Sequence, residues 1–336
     1  MPSWGRSNPP PNRSEEPGQR QMPIAFIIGA GSGVVSAALF ASAATATAIA
    51  AILFYLTPLP LGLAGLGWGA SAAAIAGLVG TLLIALVLGP DPAGAFAVAA
   101  GMPIALLSYL ALLSRPIVVQ ADGNPAGIEW YPSGRLLGWA AILAGVLAAA
   151  MILYFGPDAE SYKAAIGKLV DASALKQVDP EGKIFNAEVI SRALPAAFAI
   201  IWLSITLFNF WLAGLIVNAS GHAMRPWPRL DRLDLPNAFF IVFTLALIGS
   251  FLPGLPGLMA TGLSGALLYA YVLQGLAVLH AYTRGFAYRS LLLGGLYLGI
   301  VLIGWVAIVV AILGLAEPML RLRERATLGG LPPGTE

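Results

Sequence analysis

After a polar leader over positions 1–23, the chain loses charge altogether: from Gln21 to Pro90 there is no Asp, Glu, Lys or Arg. Five further charge-free runs follow, at 92–114, 136–157, 193–224, 235–283 and 290–316. A helix that spans a bilayer needs roughly 20 consecutive apolar residues, and each run holds at least one. The pattern predicts an all-α polytopic transmembrane bundle of nine spans, near 24–43, 46–66, 68–89, 93–114, 135–155, 193–218, 236–252, 258–281 and 288–316, with eight as the alternative count. The domain plan is then a disordered polar tail (1–23), a membrane domain (24–316) and a polar C-terminal tail (317–336).

One sizeable stretch departs from this pattern. In 156–192, Tyr162, Ile166, Leu169, Val170 and Leu175 recur at helical spacing, with Lys163, Lys168 and Asp171 elsewhere around the wheel. This predicts an amphipathic helix lying on a membrane or protein surface. A second irregularity is "TPLPLG", Thr57 to Gly62. Pro58 and Pro60 each lack an amide donor, so the second span bends or breaks there. The freed carbonyls must be satisfied by protein or a water-lined cavity, because lipid offers no donors.

The segment "FIIGAGSGVVSAALF", Phe26 to Phe40, raises the question of a dinucleotide loop. Val34 stands where the fingerprint needs its third glycine, and the next acid after it is Asp91, too far for a ribose contact. Gly29, Gly33 and Ala37 instead form a small-residue stripe on one helical face, suited to close helix contact in lipid. They are candidate contacts to a membrane partner.

Composition sharpens the picture: the chain is 58% hydrophobic and 10% charged, against about 25% charged in soluble domains. There is no Cys and there are only two His, which removes disulfides, thiolate catalysis and a histidine-rich metal site. A net charge of +2 suggests no nucleic-acid partner. All Asp, Glu, Lys and Arg fall in predicted loops, tails or helix ends, whereas proton relays and voltage sensors place charge inside the bundle. No cofactor is expected and no enzyme activity is indicated; a Ser220, His222, Asp231 triad lacks the setting that a nucleophile needs.

Lys and Arg in short loops set orientation. Arg115 and Arg135 flank the loop after the fourth span, Arg225, Arg229 and Arg232 follow the sixth, and Arg284 and Arg289 follow the eighth. The alternation predicts a cytoplasmic N-terminus in a bacterial inner membrane and places 156–192 outside. A nine-span count leaves the basic "RLRER" outside, against the rule.

Few polar groups fall within the spans. Asn209 and Gln274 either bond between helices or, with Pro58, Pro60 and Tyr109, line a cavity for a small neutral solute. Trp202, Trp211 and Trp305 are candidate walls. Arg225, Trp227, Arg229 and Arg284 are candidate contacts to a partner or to the lipid bilayer.

Three segments carry a resemblance: "FYLTPLPLGLAGLGWG" (54–69), "NFWLAGLIVNASGHAMRPWPRLDRLDLP" (209–236) and "LQGLAVLHAYTRG" (273–285). They resemble the YybS-like family of bacterial multi-pass membrane proteins, in particular its alphaproteobacterial members. That family is in turn similar to the substrate-capture (S) components of energy-coupling-factor transporters. The resemblance implies a small-solute-binding permease subunit driven by a separate energising membrane partner. A membrane scaffold that docks proteins through its basic loops is the alternative.

Overall fold

The computed structural model describes residues 17–118, 125–173, 179, 186–226, 228 and 233–320. Among these, seven helical segments are long and apolar enough to cross a membrane, or up to eight if one bent pair is a single span. The protein is therefore a multi-pass helical membrane bundle, but the expected nine spans are not found. Two corrections account for the difference. The helix expected at 236–252 is Asn237–Gly249, 13 residues or about 20 Å at 1.5 Å per residue, too short for a core of about 30 Å. The span expected at 288–316 breaks at Ile303–Gly304 into two helices bent by 119°.

Helix α1 (Pro17–Ala41) begins inside the stretch expected to be tail. It runs parallel to α4 (Ala70–Leu88), with Gly29 over Ala72 and Gly33 over Ala76. Between them, α2 (Ala48–Tyr55) and α3 (Pro58–Trp68) form one broken span. The break has the expected cause. Pro58 opens α3, and around it the amides tighten to three-residue bonds: Leu56 to Leu53, Thr57 to Phe54 and Leu59 to Leu56, all 3.0–3.1 Å.

Helices α5 (Pro90–Phe96) and α6 (Met102–Leu112) are joined by one π-helical turn, Ala97–Gly101. There Gly77 of α4 meets Gly101 backbone to backbone; a Cβ on Gly77 would stand 3.1 Å from the Gly101 Cα. The stretch expected as a polar loop is an antiparallel hairpin, β1 (Ser114–Val118) and β2 (Pro125–Trp130), with Arg115 paired to Glu129 at 2.6 Å.

Helix α7 (Ser133–Phe155) leads to the insert, where α8 (Ala159–Ala172) is capped by the Asp158 carboxylate accepting from the Ser161 amide at 2.8 Å. Tyr162, Ile166 and Val170 are buried against Ile152, Leu194 and Leu258, so α8 lies on the protein rather than free on a bilayer. Burial pushes the Tyr162 phenol up to about 12. Leu169 is exposed and Leu175 lies outside the described residues.

Helix α9 (Ala187–Ala219) and helix α11 (Gly254–Tyr282) run parallel: Pro195 and Ala196 pack on Gly262 and Gly265. The chain between them returns from one end of the bundle to the other, through an extended run with Leu233 and Leu235 buried and then α10 (Asn237–Gly249). Helices α12 (Arg289–Leu302) and α13 (Trp305–Leu320) complete the fold, with Gly314 against Tyr271 of α11. Glu317, expected to begin the tail, is buried in the last turn of α13.

The α1–α4 contact predicts a sharp contrast between neighbouring glycines. A Cβ on Gly33 would lie 2.5 Å from the Ala76 carbonyl, whereas one on Gly31 meets nothing within 4 Å. Gly33→Ala should cost about 1–3 kcal/mol of overpacking and Gly31→Ala almost nothing. Thermal unfolding in detergent, followed by tryptophan fluorescence, checks this; equal melting temperatures would reject the contact.

Candidate functional site

The polar groups within the spans act first on backbone. Asn209 is 1% exposed and donates from Nδ2 to the Tyr55 carbonyl at 2.8 Å. That carbonyl is free because Leu59, its partner in a continuous helix, has turned to Leu56. Ser36 Oγ donates to Thr57 O at 2.6 Å on the same break. Trp202 Nε1 donates to Ala99 O at 2.8 Å, four residues before Pro103, which has no amide to return. Gln274, fully buried, accepts from the Leu235 amide at 2.7 Å and donates to Gly314 O at 2.9 Å. Gly314 lies four residues before Pro318. Asn209, Trp202 and Gln274 thus supply partners that a proline or an extended segment withholds.

None of the five expected cavity residues lies on the wall of the cavity described below. Pro58 and Pro60 are buried in α3, Asn209 and Gln274 serve backbone, and Tyr109 is 54% exposed on α6. The Gly29, Gly33, Ala37 stripe is covered by α4 and so is not a free face for a partner. Trp305 is exposed, and Trp227 and Arg229 lie outside the described residues.

A cavity of about 580 Å³ opens instead where α3, α6, α9 and α11 end and α7 begins. Leu136, Leu207, Phe210, Leu273 and Leu276 form its apolar wall, and Trp211 joins them. Arg225, Arg284, Arg289 and His280 line it as well, from the loops after α9 and α11, the start of α12 and the last turn of α11. The arginines that alternate along the sequence thus converge on one end of the bundle. Arg225 is held by two contacts: its Nη1 donates to Ala111 O, among the last carbonyls of α6, at 2.8 Å, and its guanidinium lies 5.8 Å from the Trp130 ring centroid. Burial lowers the Arg225 pKa from its ordinary value. Among the described lining residues there is no Asp or Glu, and no group of three potential metal ligands occurs among the described residues.

Sequence reasoning missed Arg289, Tyr297 and the leucines of α11 as lining residues. The available signal was the placement of Arg225, Arg284 and Arg289 just beyond two long apolar helices on the same expected side. No protein-family model, curated protein or solved structure matches the chain, so nothing beyond the quoted segments bears on the YybS-like resemblance.

A double-mutant cycle tests the backbone role of Trp202. Trp202→Phe should cost about 1–3 kcal/mol by stranding the Ala99 carbonyl. The cost should shrink in a Pro103→Ala background, where the new amide can serve that carbonyl. Equal costs in both backgrounds, measured by unfolding in mixed micelles, would show that Trp202 acts by packing alone.

Proposed function

We propose that this membrane protein is a binding subunit for a small, mainly apolar molecule, handed onward by a separate energising partner, as its likeness to S components implies. The observation that supports this reading best is the cavity. Its volume of about 580 Å³ falls in the ~300–1,000 Å³ range of small-molecule sites, and an apolar wall with a few convergent polar groups is their usual make-up. Its described lining offers no carboxylate to carry a coupling ion, which agrees with energy supplied from outside the chain. The scaffold alternative draws on Arg284, which is exposed, whereas the Nε atoms of Arg225 and Arg289 are buried. The same reading places the arginine-rich end in the cytoplasm and α8 on the outer face of a bacterial inner membrane.

Two measurements test it. Cysteine at Lys168, which is exposed on α8, should react with an impermeant thiol reagent in intact cells, while cysteine at the exposed Ser220 should react only after permeabilisation; the reverse would invert the orientation. Leu273→Trp should fill the cavity with the fold preserved. Mass spectrometry of solvent extracts from gently purified protein should then find a small molecule in the wild type that is depleted at least tenfold in the variant, about 1.4 kcal/mol or more. Identical extracts would remove the binding reading.

A further inference from the structure

The cavity is asymmetric in a way that narrows its ligand. Most of its wall is aliphatic or aromatic, and its cationic groups come from the segments just beyond the ends of α9 and α11. Arg225 and Arg289 each bury an Nε that has no hydrogen-bond partner among the described residues. A guanidinium stays charged in any protein setting, and sequestering one with an unused donor is unfavourable until an acceptor arrives. No Asp or Glu stands among the described lining residues, and an anionic group on a ligand would supply the acceptor that these Nε donors lack.

The way in restricts the source of that anion. Phe208 and Trp211 of α9 and Tyr297 of α12 line the cavity and are 53%, 40% and 45% exposed. Phe208 and Trp211 lie on α9, which is long and apolar enough to cross a membrane, so exposed aromatic surface on a membrane helix borders the cavity. Around them α12 presents further apolar surface, including Leu298 at 59% exposed. A soluble anion has no reason to meet such a surface, whereas an amphiphile already in the bilayer does.

We infer that the cavity takes an anionic glycerophospholipid from the surrounding leaflet, with an acyl chain along Leu207, Leu273 and Leu276 and its phosphate at Arg225 and Arg289. Basic pockets between membrane helices on the cytoplasmic side are suited to anionic headgroups, and a guanidinium fork matches phosphate oxygens. This inference rests on the small-molecule-binding reading and names the class of ligand for the same site.

The test uses the full chain in detergent and two probes. A neutral fluorophore, N-phenyl-1-naphthylamine, reports whether the cavity accepts any apolar molecule. Native mass spectrometry after exposure to equimolar phosphatidylglycerol and phosphatidylcholine reports headgroup choice. Phosphatidylglycerol should be retained preferentially, and the preference should fall roughly fivefold for each arginine removed and weaken as salt rises. Arg289→Gln leaves the α6 terminus untouched, and Arg225→Gln retains an amide donor for the Ala111 carbonyl, so the two variants together survive a folding defect in either. Leu273→Trp should abolish both fluorophore and lipid retention. If the fluorophore binds but the two lipids are retained equally, the anionic-lipid assignment fails while the binding reading stands. If neither fluorophore nor lipid is held, both fail. A phosphatidylglycerol preference unchanged in Arg289→Gln and Arg225→Gln would put the lipid elsewhere and overturn the assignment.

Discussion

A carbonyl that turns toward hydrocarbon finds no water to bond, and each unpaired backbone group there costs several kcal/mol. This protein departs from regular helical bonding repeatedly: at Pro58, in the π turn before Pro103, and at Pro318 within α13, with an extended run at 233–236. At the breaks a side chain from a distant helix supplies the missing partner. Asn209 bonds Tyr55, Trp202 bonds Ala99, and Gln274 serves Leu235 and Gly314 together. Arg225 does the same at the end of α6. The bundle is thus tied by bonds between side chains and irregular backbone, as well as by apolar contact.

Close packing and the cavity have a common origin in side-chain size. Where Gly and Ala face each other, as between α1 and α4 or at Gly77 and Gly101, backbones approach until no Cβ could be added without a shift. Such contacts yield van der Waals association where hydrophobic burial supplies none. At the arginine end the small residues give way to Leu, Phe and Trp. Larger side chains hold the helices apart there, and a cavity fits between them.

Much of this was legible in the sequence. Charge-free runs locate the membrane helices, the proline pair marks the broken span, and the insert's 3.6-residue period places Tyr162, Ile166 and Val170 on one face. The alternation of arginines correctly groups the loops that meet around the cavity. What escaped was pairing over long distance. Nothing local to Asn209 or Gln274 says that a carbonyl elsewhere awaits them, so a cavity-lining role was the natural alternative. Apolar content alone also could not separate a full span from the short α10, because the hydrophobic run continues through Gly249 and Pro253 into α11. Nor does it mark the bend at Ile303–Gly304, where both flanking segments are apolar.

The bond between Asn209 and Tyr55 joins residues 154 positions apart, and the bond from Trp202 to Ala99 joins residues 103 apart. Both donors lie on α9, so the first four spans enter the membrane before their partners have been synthesised. At roughly 5–20 residues per second, a separation of 154 positions means that Tyr55 waits on the order of ten seconds or more. During that interval its carbonyl must be served by water, lipid headgroups or the insertion machinery. Until α9 is made, the kinks at Tyr55 and Ala99 lack these two donors, and its arrival supplies both.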